Sequence, residues 1–238
     1  VIKVSDLSLS RGDRVLLNKV SFELPDNTNL IILGRSGSGK TVLIKTIIGL
    51  MQPESGSILI DGQDMLSSES PDDIKKQFSM VFQNSALLDS FSIFQNVALP
   101  LYERGNKDMS FIQDQVIKYL DLLGLKNVLN YYPSELSGGM RKRVGIARAL
   151  VYEPRYIIFD EPVSGLDPVT SNEILYYIRE VTQKLDITMI TVTHDLHRLQ
   201  NLGHKVLFIE AGTLRYFGEL DGFFGATDPL IREFVKGI

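Results

Sequence analysis

The eight residues Gly34-Arg35-Ser36-Gly37-Ser38-Gly39-Lys40-Thr41 have the types and spacing to hold a chain of phosphates. They fit G-x-x-x-x-G-K-S/T without a gap. Glycines let successive backbone N–H groups close around phosphate oxygens, and a helix N-terminus behind them adds a favourable dipole. Lys40 supplies a point charge to β- and γ-phosphates, and Thr41 can offer its hydroxyl to Mg2+. A second cluster is the carboxylate pair Asp160-Glu161, reached through Tyr156-Ile157-Ile158-Phe159. Asp160 is suited to hold Mg2+ through water, and Glu161 to polarise a water that attacks the γ-phosphate. Alone, the pair reads equally well as an acidic strand end before the turn at Pro162. The phosphate loop upstream decides for the metal and water.

These residues need elements to aim them. Leu30-Ile31-Ile32-Leu33 is an apolar run with the character of a buried strand, and Val42 to Ile48 continues the loop as a helix. Tyr156 to Phe159 predicts a central strand that presents its carboxylates at the C-terminal edge, where open α/β sheets bind ligands. Val4-Ser5-Asp6-Leu7-Ser8-Leu9, Val20-Ser21-Phe22-Glu23-Leu24 and Ser57 to Gly62 predict strands over a half-buried face. From about Asn84 to Tyr132 the pattern turns helical. Phe111 to Leu123 carries apolar residues at 112, 116, 119, 120 and 123, with Gly124 placed as a C-cap. Gly138 and Gly139 open a further helix over Arg141 to Leu150. Ser137 suits its N-cap and can equally donate a hydroxyl to an anion.

Leu136-Ser137-Gly138-Gly139-Met140, the phosphate loop and Asp160-Glu161, taken together, resemble the ATP-binding subunit of ABC transporters over essentially the whole chain. The resemblance implies a RecA-like P-loop NTPase core of α/β class, an antiparallel β flank and an inserted α-helical subdomain. Residues 1–238 then form one ATPase domain, with 1–83 and 151–238 as core and flank and 84–150 as the helical part. The cofactors implied are ATP and Mg2+. Gln83 matches the glutamine that senses Mg2+ and the membrane partner. Ser164-Gly165-Leu166-Asp167 matches the loop along the dimer seam, and His194 the histidine that meets the γ-phosphate. The implied assembly is a head-to-tail homodimer in which Lys40 of one chain and Ser137 of the other hold the same ATP. Integral membrane permease subunits complete it.

Family members commonly place an aromatic residue under adenine near position 11. Arg11 stands there, and its guanidinium either stacks on the base or is a solvated turn charge. Phe82 to Leu101, Ser10 to Arg14, Met140 and the tail Asp228 to Gly237 are similar to ATPases of Mla-type phospholipid transporters. That likeness implies an MlaE-like permease with MCE-domain and STAS-domain subunits, and a peripheral place on the cytoplasmic face of the inner membrane. Methionine importers and lipoprotein-release ATPases share the Gln83 region.

The bulk properties agree. A net charge of −4 carries no basic field for nucleic acid, so no nucleic-acid partner is expected. The absence of cysteine excludes disulfides and thiolate metal sites. No run of 18 apolar residues offers a membrane span, and no signal-peptide pattern opens the chain. The missing coiled coil or second ATPase unit argues against the soluble repair and translation ATPases of the same class.

Overall fold

The computed structural model describes residues 1–66, 71–194, 196 and 202–236. Gly237, the last residue of the tail noted above, lies outside them. The chain divides into two compact units, one of Val1–Phe78 with Thr188–Ile238, the other Ser79–Ile187.

The first unit holds two kinds of sheet. Strands β1 (Ile2–Arg11) and β2 (Arg14–Leu24) pair antiparallel, and β4 (Ser55–Ile60) and β5 (Gln63–Asp64) extend the sheet in the order β2-β1-β4-β5. Both long strands outrun the alternation seen in the sequence. The reason is register shifts at Val4/Leu7, Leu7/Leu9 and Leu9/Ser10, which break the period of two without ending the ladder. β3 (Leu30–Leu33) is buried at every residue and pairs parallel with β8 (Thr188–Thr193) on one side and β9 (Lys205–Glu210) on the other. Burial on both faces explains its unbroken apolar run. β9 turns back into β10 (Thr213–Glu219) through Ala211-Gly212.

Asn29, just before β3, fixes that strand from two directions. Its Oδ1 accepts from Met189 N at 2.9 Å, and its Nδ2 donates to Leu202 O at 3.2 Å. Helix α1 (Lys40–Ile47) follows the phosphate loop and buries Leu43, Ile44 and Ile47. Short α2 (Pro71–Lys75) belongs to the same unit. Beyond β10, α7 (Leu220–Phe224) and α8 (Pro229–Lys236) close an aromatic cluster: Phe208 lies 5.7 Å from Phe223 and 5.0 Å from Phe234, centroid to centroid.

In the second unit, β6 (Phe78–Val81) neighbours β7 (Tyr156–Asp160), and four helices follow the chain: α3 (Ile93–Glu103), α4 (Met109–Leu122), α5 (Gly138–Leu150) and α6 (Pro168–Lys184). The helical stretch expected from about residue 84 starts only at 93. Ser92 and Gln95 form a reciprocal capping box there. Residues 88–92 are held instead by Asn96, fully buried, whose amide bonds Leu88 N and O, Phe91 O and Ser92 O. α4 begins at an Asp108 cap and ends before Gly124, whose φ of 68° suits the expected C-terminal stop. Among the described residues, no helix is long and apolar enough to cross a membrane.

Candidate functional site

The phosphate loop joins β3 to α1 as a cradle. A Cβ at Gly34 would collide with Ile209 O and Ser38 Oγ, so the loop packs too closely there for any side chain. Ser38 is 4% exposed, and its Oγ has no hydrogen-bond partner. An orphaned hydroxyl inside such a cradle fits a phosphate oxygen. α1 starts at Gly39 without a side-chain cap and without an acidic residue in its first turn, which leaves its amides and dipole to an anion. Lys40 Nζ donates to Gly34 O at 2.6 Å and Arg35 O at 3.0 Å, so its ammonium is held over the loop. Arg35 itself pairs with Glu233 of α8 at 2.8 Å.

The loop is braced from behind by the β9–β10 turn. Gly212 N donates to Ser38 O at 2.8 Å, and Asn18 N donates to Gly212 O at 2.9 Å. A cavity of about 640 Å3 opens at this place, lined by Gly37 to Val42 and by Arg11, Arg14, Val15 and Leu16 of the β1–β2 hairpin. That volume suits a nucleotide-sized ligand. Arg11 and Arg14 face each other across the hairpin. Ser36 sits exposed at the loop's tip, and His194 is exposed directly after the last residue of β8.

The second unit gathers the other candidates. Asp160 ends β7, and Glu161 follows with a left-handed φ of 48°. A non-glycine residue in that region is strained, and such strain concentrates at functional sites. The turn closes as Ser164 N donates to Glu161 O at 3.2 Å. Gln83 Nε2 donates to Ser164 Oγ at 3.2 Å, which ties the segment after β6 to the turn after β7. Gln83 itself is exposed. A hydroxyl, a carboxylate and an amide oxygen, as in Thr41, Asp160 and Gln83, are the hard donors that Mg2+ prefers.

Ser137 caps α5, its Oγ accepting from Met140 N at 3.2 Å, and Gly138 and Gly139 form the first turn. Asp167 caps α6, accepting from Val169 N and Thr170 N at 3.0 Å. The Thr170 hydroxyl, then the Thr170 amide, hold its carboxyl below the usual carboxylate range.

Two residues escaped the sequence reading. Lys142, 7% exposed on α5, donates its ammonium to Gln83 O. Arg148, two turns along, donates to Ser85 O at 2.6 Å and Ala86 O at 2.8 Å. In the sequence they belong to a basic helix that looks solvated. Their spacing of six around Gly145 was the one available signal, since it puts all three on one helical face.

The protein family described as ABC transporter matches residues 17–164. A probable ribonucleotide transport ATP-binding protein of Mycobacterium leprae is 37% identical over 99% of this chain and 69% of its own length. The intermembrane phospholipid transport system ATP-binding protein MlaF of Haemophilus influenzae is 35% identical over 100% of this chain and 90% of its own length. Among solved structures, a dimeric ATP-binding cassette in a post-hydrolysis state, bound to ADP and Pi, matches with a TM-score of 0.79 at 26% identity. The match covers 92% of this chain and 99% of that one.

Proposed function

This chain belongs to the ABC transporter family as an ATP-binding subunit, and from that premise we propose that its ATP hydrolysis powers the movement of phospholipid between membranes. The cradle around Ser38 carries the nucleotide half of this reading. Full-length likeness to a phospholipid transport ATPase supports the cargo half.

In this mechanism the first unit binds and orients. Gly34 to Gly39 direct backbone N–H groups at the phosphates, Lys40 moves from its loop carbonyls to the β- and γ-phosphates, and Arg11 stacks on the base. The second unit activates. Glu161 orients a water towards the γ-phosphorus and takes up its proton, while Gln83 and Asp160 hold the metal's oxygen shell. Mg2+, held by those residues, would supply positive charge that stabilises the phosphates during transfer. His194 donates to the γ-phosphate. Ser137, Gly138 and Gly139 meet the γ-phosphate of a second copy arranged head to tail, with Asp167 at the seam, so ATP joins the dimer and hydrolysis releases it. The dimer docks on integral membrane permease subunits of MlaE type, with MCE-domain and STAS-domain subunits, at the cytoplasmic face of the inner membrane.

A second cargo is favoured by one observation, the likeness to a probable ribonucleotide transport ATP-binding protein. The test is purification from native membranes with the permease that accompanies the chain, followed by reconstitution in proteoliposomes. ATP-dependent transfer of labelled phospholipid supports the first reading. Uptake of labelled ribonucleotide without lipid transfer replaces it with the second.

A further inference from the structure

α5 meets the segment after Gln83 along one face, built from Lys142, Gly145 and Arg148. Lys142 donates to the backbone oxygen of Gln83, and Arg148 to those of Ser85 and Ala86. Ser85 and Ala86 both have left-handed backbones, with φ of 58° and 46°. Two successive non-glycine residues in that region persist only where the surroundings impose them, and here the grips on their carbonyls do so. Gly145 allows the close approach: a Cβ there would lie 3.2 Å from Ser85 Cβ.

Lys142 differs from Arg148 in what it holds. The backbone it holds is that of Gln83, whose side chain donates to Ser164 Oγ at 3.2 Å, in the turn where Ser164 N donates to Glu161 O. Burial pushes the Lys142 ammonium below its ordinary range, and Glu161, then Asp160, oppose that push. A buried ammonium is tolerable only when hydrogen-bonded and compensated by opposite charge. Lys142 finds the hydrogen bond on the glutamine segment and the compensation at the strand end bearing Glu161. Its own backbone sits five residues after Ser137, on the same helix.

We propose that Lys142 is a positioning residue for hydrolysis, which keeps Gln83 and Glu161 in register with the helix that carries Ser137. The proposal rests on the ATPase reading above. A displacement of α5, as when Ser137 engages an anion, is carried through Lys142 to the residues that orient the attacking water. Its role belongs to turnover and leaves nucleotide capture to the phosphate loop.

The test uses the full chain with Lys142→Met, Lys142→Gln, Lys142→Arg and, as a control, Glu161→Gln. Steady-state hydrolysis of Mg-ATP is measured beside the number of nucleotide sites per chain. Misplacement of a catalytic group by about 1 Å costs on the order of 100-fold, so Lys142→Met is expected to lose about 10- to 100-fold in kcat. Its KM should stay within about twofold of the wild type, with a full complement of nucleotide sites. Lys142→Gln, which keeps a donor for the Gln83 carbonyl, and Lys142→Arg, which also keeps the charge, should each recover part of the rate, arginine more.

Three results overturn the proposal: a wild-type kcat in Lys142→Met, a kcat loss matched by lost nucleotide sites, or an Lys142→Arg rate no better than that of Lys142→Met. Where Lys142→Met folds poorly, Lys142→Gln takes its place in each of these comparisons. The control separates the two levels. Wild-type turnover by Glu161→Gln removes the general-base reading, whereas an inactive Glu161→Gln beside a fully active Lys142→Met removes only the positioning role.

Discussion

Glu161 is held in a left-handed conformation that a side chain adopts at a cost of about 1 kcal/mol or more. Glu161→Gln keeps the backbone and removes only the base, so it isolates the chemistry. The expected result is a kcat lowered by about 100-fold or more with ATP still bound, read by single-turnover assay and nucleotide retention. Lys40→Ala should act earlier, because a charge-assisted bond of about 1.5–3 kcal/mol is lost from binding itself. Nucleotide affinity should fall about 10- to 100-fold by fluorescence titration, and normal affinity would count against the phosphate-loop assignment. Arg11→Ala should weaken ATP binding about 2- to 30-fold if the guanidinium stacks on the base; unchanged affinity for both ATP and GTP sinks stacking. At this scale the glycines, Lys40 and the carboxylate pair were legible because their spacing is itself the chemistry. Lys142 and Arg148 were not, because burial of a basic side chain depends on a carbonyl that arrives from some sixty residues away.

Local signals that are complete within a few residues were also legible at the level of elements. Leu30–Leu33 coincides with β3 and Tyr156–Phe159 with all but the last residue of β7, because strands covered on both faces leave continuous apolar runs. α3 was blurred. Its start is set by the Ser92 box and its interior contains Pro100, while the preceding residues depend on distant side chains, Arg148 at Ser85 and Ala86 and Asn96 at Leu88 to Ser92. Asn96→Ala removes the partners of two part-buried backbone groups, Leu88 N and Phe91 O, at about 1–3 kcal/mol each. A net loss of about 2–4 kcal/mol is expected, seen as a lower urea midpoint for the second unit. Ser137→Ala removes the α5 cap, worth about 1 kcal/mol. A fall in ATPase rate much larger than that stability change would separate the hydroxyl's role toward an anion from its role toward Met140 N.

Nucleotide is expected to decide association for the molecule as a whole. With Mg-ATP, Glu161→Gln should elute at twice the protomer mass by light scattering, and Lys40→Ala should show no nucleotide-dependent change. Nothing in the sequence pattern disclosed how the phosphate loop is braced, since the brace comes from the turn between β9 and β10, 174 residues downstream from Ser38 to Gly212. That brace makes the loop's stiffness a property of the chain's far end. Gly212 carries Ser38 on its amide, and Glu233 holds Arg35 from α8. Loosening the second anchor by Glu233→Ala is therefore expected to shift ATP affinity from outside the phosphate loop, by about fivefold or less, since an exposed ion pair contributes about 0–1 kcal/mol.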